Sequence, residues 1–303
     1  MTWVQRQNLY RPTGSHPKLL SHASNPLPVH LAGDVYRIFY NARDEHNRSS
    51  IGAVDIDIMS KEVVREFNEP LFQYGEPSSF YSNGISLGNV VDIRSTKYLY
   101  FMGWTKPSQG HWYGEIGRLL VTDDVQLELA NDEPVLTLDE FDPISLSYPW
   151  VMWHGGVYKM WYGSTESWEA DNGEMIHVIK CAESDDGQTW VKKRIALPYR
   201  VGVAQAFSRP TVHENSDGSL TMWFSFRSGV NDTYKIGTST SVDGQVWSFP
   251  REEESLKPPA AGWDCQMVEY PYVFSHKSEL YMLYNGNQFG ASGFGIAALD
   301  VTV

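Results

Sequence analysis

Ser86, Ser147, Ser208 and Glu269 stand 61 residues apart each time, and each opens a copy of one short motif. The copies read Ser86-Leu-Gly-Asn-Val90, Ser147-Tyr-Pro-Trp-Val151, Ser208-Arg-Pro-Thr-Val212 and Glu269-Tyr-Pro-Tyr-Val273. A fifth, Ser24-Asn-Pro-Leu-Pro-Val29, precedes them one residue out of register. A repeat that fills a chain of 303 residues constrains the fold strongly. Each copy is a supersecondary unit that cannot bury a core alone and must pack on its neighbours.

The rest of each unit points to strands. A second apolar-aromatic run follows the motif at Val35–Tyr40, Tyr98–Gly103, Val157–Gly163, Leu220–Phe226 and Leu280–Gly286. A third begins near Ile51, Ile116, Ile179, Ile236 and Ile296, and a weaker fourth is expected at Pro134–Leu138 and Arg194–Leu197. Two third runs end alike, in Ser184-Asp-Asp-Gly-Gln-Thr-Trp190 and Ser241-Val-Asp-Gly-Gln-Val-Trp247. There Asp-Gly signals a tight turn, and the Trp is placed to fill the space between units.

Four antiparallel strands per unit, five times over, predict an all-β five-bladed β-propeller. The expected blades are 20–75, 80–138, 142–198, 203–257 and 263–303, in one domain over 1–303. The last unit runs out after three strands, so Trp3–Tyr10 is the expected donor of the fourth, closing the ring and removing a free edge. In such a ring the first strands line a central channel. The loops entering them share one rim with the loops between second and third strands, where binding and catalysis usually sit.

Composition narrows the partners. A net charge of −13 opposes general affinity for nucleic acid or anionic membranes, which requires a basic footprint. Cys181 and Cys265 are the only cysteines, and neither a disulfide scaffold nor a structural zinc site is implied. The N-terminus lacks the regions of a signal peptide, and no apolar run is long enough to span a membrane. A cytoplasmic protein without cofactor is expected. Phosphate-cradling, nucleophile-elbow and zinc-protease motifs are missing.

Asn25-Pro26, the Ser-x-Asp-Gly-x-x-Trp turns and the five units resemble the glycoside hydrolase propellers of families 43 and 32. The first unit, with Tyr36-Arg-Ile-Phe-Tyr-Asn-Ala-Arg43 and Arg48-Ser-Ser-Ile-Gly52, is most similar to the family-130 mannoside phosphorylases. Ala206-Phe-Ser-Arg-Pro210, Gly262-Trp-Asp264 and Tyr281-Met-Leu-Tyr-Asn-Gly-Asn287 extend the resemblance over the whole chain. They match uncharacterised glycosidase-like proteins of bacterial surface-polysaccharide loci. The resemblance implies a carbohydrate substrate. It also exposes departures: where family 43 places Asp, Asp and Glu, this chain offers Asn25, Ser147 and Ser208. Where family 130 has an acidic motif, Ile85-Ser-Leu-Gly-Asn89 has no carboxylate.

Glycoside cleavage calls for carboxyl groups, so the rim acids are the candidates: Asp44, Asp264 and Glu269 as catalytic groups, with Glu115, Asp142 and Glu166 near them. Glu269 replaces a repeat serine on the channel wall, where burial would raise its pKa as a general acid requires. A structural pairing with Arg209 is its bland alternative. Arg43, Arg48, Arg209 and Arg227 are expected to face the funnel, where guanidinium forks suit phosphate or a sugar carboxylate. Asn25, Ser86, Ser147, Glu166 and His177 complete the expected substrate contacts. Trp104, Trp112, Tyr113 and Trp168 offer stacking faces on the rim.

The leading expectation is therefore an enzyme that cleaves or transfers a glycosidic bond of an anionic or phosphate-bearing sugar. The alternatives are a catalytically silent glycan-binding propeller and a protein-interaction propeller. An isolated carboxylate beside arginines would favour phosphorolysis or transfer. Acids all tied into ion pairs would favour the silent module.

Overall fold

The computed structural model describes residues 2–252 and 255–300. The expected domain's ends at 1 and 301–303, and positions 253–254 of the fourth expected blade, lie outside the described residues. The chain is all-β, as the runs predict. The first unit comprises β2 (Ser21–Ala32), β3 (Val35–Arg43), β4 (Ser49–Asp57) and β5 (Glu62–Glu66). The second comprises β6 (Gly84–Ile93), β7 (Thr96–Thr105), β8 (Tyr113–Val121) and β9 (Leu127–Leu129). The third comprises β10 (Leu146–His154), β11 (Val157–Ser167), β12 (Ile176–Ser184) and β13 (Val191–Ile195). The fourth holds β14 (Ala206–Glu214), β15 (Leu220–Arg227) and β16 (Lys235–Ser241), with Arg251 bridged to Thr238. The last holds β17 (Glu269–His276), β18 (Glu279–Asn285) and β19 (Phe294–Asp300).

Within each unit the pairing is antiparallel. As expected, β1 (Thr2–Tyr10) pairs with β19. The first strands pack in the order β2, β6, β10, β14, β17, and β17 packs on β2. Two fourth strands differ from expectation. Pro134–Leu138 carries only the bridge Ile116↔Leu136, while β9 lies upstream. The strand expected at Arg194–Leu197 begins earlier, at Val191. Short edge strands carry weak period-two signals, so their bounds are hard to read. The Gly-rich segment after β18 forms a four-residue helical turn at Asn287–Gly290, with Gln288 and Phe289 left-handed. No helix among the described residues is long and apolar enough to cross a membrane.

The shared Asp-Gly turns tie units together. Asp186 Oδ1 accepts the amides of Gln188 and Thr189, and Gly187 takes φ 69°. The Gly187 carbonyl then accepts Tyr100 Oη of the preceding unit at 2.9 Å, and Trp190 packs edge-on to Tyr100. One unit later Trp161 Nε1 donates to the Gly244 carbonyl at 2.8 Å, with Trp247 against Trp161. A Cβ on Gly244 would come within 2.8 Å of the Trp161 ring, so that position requires glycine. The core is therefore shared across unit boundaries and continuous with the repeat.

Candidate active site

The repeat motif builds one unusual backbone feature. Asn25, Tyr148, Arg209 and Tyr270 each occupy its second position and take positive φ, at 53°, 35°, 49° and 55°. The ladders slip in register at the same places. Each is followed by proline, which disfavours a right-handed helical turn before it. A left-handed residue in a bulge costs about 1–3 kcal/mol and re-aims the side chain. Such strain at four equivalent positions marks where the first strands present their side chains.

Arg209 shows what the feature does. It is fully buried, with Nη1 donating to the Tyr270 carbonyl and Nη2 to the Pro26 carbonyl, both at 2.7 Å. The side chain thus links the fourth unit to the fifth and the first. Burial pulls its pKa down to about 10, leaving it charged at neutral pH. Its Nε has no partner. Arg209 is a strut, with both Nη groups engaged by backbone, and not the open oxyanion fork expected.

Glu269 lies beside this strut with no exposed surface. Neither carboxyl oxygen has a hydrogen-bond partner, and the side-chain amide nitrogen of Asn285, its cross-strand neighbour, is also unpaired. Burial raises the Glu269 carboxyl well above the ordinary carboxylate range. The Asn285 amide, near enough to act on the carboxyl but outside hydrogen-bond geometry, and the charges of Arg43, Arg227 and Arg209 oppose the rise without cancelling it. The expected alternative, an ion pair with Arg209, does not form, because the guanidinium points to carbonyls.

The other candidate acids are engaged. Asp44 accepts the amides of His46 and Arg48 and lies 2.9 Å from Arg48 Nε. Burial pushes this carboxyl up, but those bonds outweigh it and hold it low. Asp264 lies 3.0 Å from Arg6 of the N-terminal strand and accepts Tyr284 Oη at 2.9 Å. Glu166 pairs with Lys180 at 2.8 Å, and Lys180 also reaches buried Asp142. Glu115 lies within β8 and accepts Thr137 Oγ1. The structure therefore gathers no pair of free carboxyl groups from the expected set.

Among the arginines, Arg48 is tied to Asp44 and stacks 4.1 Å from the Tyr74 ring. Arg227 is held by Glu174 through Nη2 at 3.0 Å and Nε at 2.8 Å. Arg43, at the end of β3, is half-buried and acts electrostatically on Glu269 and His22. His177 is buried between Ser147 Oγ on Nε2 at 2.6 Å and Thr165 Oγ1 on Nδ1 at 2.8 Å. Burial lowers its pKa to about 4, so it is neutral at pH 7. Trp104, in β7 and not in a loop, donates to Ser49 Oγ. Asn25 donates its backbone amide to Asn285 Oδ1 and its side-chain amide to Asn41 Oδ1.

Sequence reasoning missed Tyr148, Tyr270, Asn285 and Glu174. Tyr148 and Tyr270 pack at 5.3 Å between ring centroids beside Glu269. Burial drives both phenols up, and Ser86 and Tyr270 hydroxyls act on Tyr148. Both tyrosines occupy the repeat position of Asn25 and Arg209, a signal that was available. Chemically, the site holds one buried carboxyl whose pKa burial raises, two or more nearby cations and hydroxyls that exchange hydrogen bonds.

No family model matches the chain. Two uncharacterised proteins of Mycobacterium tuberculosis, from strains CDC 1551 and H37Rv, are each 36% identical over 302 residues, spanning 99% of this chain and 100% of the relative. Among solved structures, a β-1,2-mannobiose phosphorylase from Listeria innocua matches with a TM-score of 0.74 at 10% identity, over 99% of this chain and 97% of its own. An endo-arabinase from Bacteroides thetaiotaomicron matches with a TM-score of 0.69 at 13% identity, over 94% and 97%. At these identities the likeness is one of fold.

Proposed function

The chain belongs to the family of those two mycobacterial proteins, and from its propeller-glycosidase fold we propose that it is a carbohydrate-active enzyme with Glu269 as its proton donor. The architecture proposed with it is one domain of five blades around a funnel, supported by the packing of β17 on β2 and by the β1–β19 pairing. The observation that carries the function is the state of Glu269: buried, unpaired and raised in pKa. A general acid must hold its proton near neutral pH.

The lone acid favours transfer over hydrolysis. Hydrolysis by the two-carboxyl route needs a second group to activate water or attack the sugar. Asp44, Asp264 and Glu166 are each held in ion pairs. A phosphate nucleophile is already anionic and needs no base, so one acid suffices. Glu269 would protonate the leaving glycosidic oxygen while phosphate attacks the anomeric carbon, a step that requires substrate binding to open the wall over a carboxyl that has no exposed surface. Arg43 is the cation best placed to hold an anionic group. A phosphate-bearing or acidic sugar of surface-polysaccharide metabolism is the proposed substrate class.

The test incubates the protein with β-1,2-mannobiose and related disaccharides, with and without inorganic phosphate. Phosphate-dependent release of a sugar 1-phosphate, lost in Glu269→Gln, is expected. Turnover that ignores both phosphate and Glu269→Gln would overturn the assignment. The paired state of the other acids favours a second reading, a silent glycan-binding propeller. Saturable binding without any product would establish it.

A further inference from the structure

Three aromatic side chains on the rim take no part in that chemistry. His111 and Trp112 lie in the loop between β7 and β8, and Trp168 in the loop between β11 and β12. Both loops sit at the end of their units where the repeat motif enters, since Gly84 pairs with Trp104 and Ser147 with Gly163. The loops meet across the boundary between the second and third units. The His111 ring stacks on Trp168 at 4.6 Å and 16°, and Trp112 packs edge-on to it at 4.9 Å and 74°. His111 is exposed, while Trp112 and Trp168 are half-buried. Partly exposed aromatic side chains clustered in this way, unlike apolar residues scattered singly, are a mark of interaction sites.

The Trp168 side of the shelf is anchored by hydrogen bonds and joined to the site. Beyond Trp168, Ala170 and Gly173 close turns through backbone bonds of 2.9 and 2.8 Å. Asn172 donates to Gln205 Oε1 at 2.7 Å and to the Ser228 carbonyl at 3.1 Å. The loop ends at Glu174, which holds Arg227, one of the cations acting on Glu269. One short anchored segment thus runs from the aromatic cluster to Arg227, whose charge acts on the candidate acid.

Resting on the carbohydrate reading above, we propose that His111, Trp112 and Trp168 bind a sugar ring of an extended substrate, distant from the bond at Glu269. A pyranose ring offers an apolar C–H face to an indole and a rim of hydroxyls to the polar loop residues. Exposed Glu169 and Asp171 flank the cluster, which disfavours a nucleotide or an acidic sugar there. The ring on the shelf is therefore a neutral one. The substrate is an oligosaccharide or polysaccharide chain, with any anionic group confined to the funnel.

The test is the chain-length dependence of binding, read by tryptophan fluorescence and calorimetry. The probes are β-1,2-manno-oligosaccharides and arabino-oligosaccharides from the disaccharide to the hexasaccharide. Affinity is expected to rise with length by about tenfold, equivalent to ~1.4 kcal/mol. Trp168→Ala should abolish that rise, leaving the disaccharide affinity unchanged, and His111→Ala should weaken it. Affinity independent of length, a rise that survives Trp168→Ala, binding of neither series, or a change in oligomeric state in place of sugar affinity would each overturn the shelf. Product formation separates the two claims. Turnover with no length dependence removes the shelf alone, and length-dependent binding without turnover removes the enzyme reading alone.

Discussion

Glu269 and Asn285 face each other across the β17–β18 ladder, and the Asn285 carbonyl is engaged by the Asn25 amide at 2.9 Å. The carboxamide is thereby oriented by the first unit, and its nitrogen and both Glu269 oxygens remain unpaired. Buried polar groups are nearly always paired, and exceptions call for an explanation. A carboxyl whose pKa burial raises, kept for the proposed proton transfer, is one. The cost of keeping it is charged to stability, which makes it measurable.

Glu269→Gln should stabilise the protein at neutral and mildly alkaline pH. The raised pKa means that the folded state binds more protons than the unfolded chain above the ordinary glutamate pKa. Stability therefore falls as pH rises from that value through the raised one. A neutral glutamine removes this dependence. The variant is expected to gain about 1–3 kcal/mol at pH 8, the usual scale of an unpaired buried polar group, and to match the wild type near pH 4. Denaturant unfolding across that range measures it. A variant less stable than the wild type at every pH would contradict the isolation of the carboxyl.

Asp264→Asn should do the reverse. Asp264 ties Arg6 of the N-terminal strand and Tyr284 of the last unit, so its loss leaves a largely buried guanidinium without its carboxylate. A cost of roughly 2–4 kcal/mol is expected, without a matching loss of kcat in the molecules that remain folded. Urea midpoints and activity normalised to folded protein separate the two effects. Activity lost in Asp264→Asn at unchanged stability would return Asp264 to the catalytic set.

The difference between these acids could not be read from sequence. Asp264 and its partner Arg6 lie at opposite ends of the chain, and Asp44 is claimed by Arg48 only because the loop folds back on itself. The fold was legible because every unit reuses one solution. Proline after a left-handed bulge residue recurs at Asn25, Tyr148, Arg209 and Tyr270, and the substitution of Glu269 into that register was visible. Arg209 was assigned to substrate because its type suggested anion binding. Its carbonyl partners, Tyr270 and Pro26, are brought to it by the packing of β14 on β17 and of β17 on β2 and by no local signal.

Arg43→Gln should leave stability within about 0.5 kcal/mol, as for surface changes that break no specific contact. Its effect should fall on phosphate or anionic substrate, with apparent affinity reduced at least roughly tenfold. An independent readout is available at His22, whose pKa is lowered to about 4 by burial first and by Arg43 second. Removing that charge should move the His22 titration upward in an NMR experiment. Unchanged His22 titration together with unchanged phosphate dependence would place Arg43 outside the site.

His177 sets the acid limit of stability. Its pKa is lowered to about 4 by burial, between Ser147 and Thr165. Between that value and the unfolded value near 6.5 the unfolded chain binds the extra proton. The stability from neutral His177 is thus present above about pH 6.5 and is lost as pH falls toward 4. His22 shares the window. His177→Gln should lower the slope of stability against pH by up to about one proton's worth, ~1.4 kcal/mol per pH unit, in this range, while costing about 1–3 kcal/mol at pH 7 through the disturbed hydroxyl contacts. Adding His22→Gln should lower the slope by a similar amount, leaving the contribution of His213 and the opposing one of Glu269. Unfolding curves taken from neutral to mildly acid pH give both slopes. A slope unchanged in the double variant would assign the acid sensitivity to the buried carboxylate Asp142 instead.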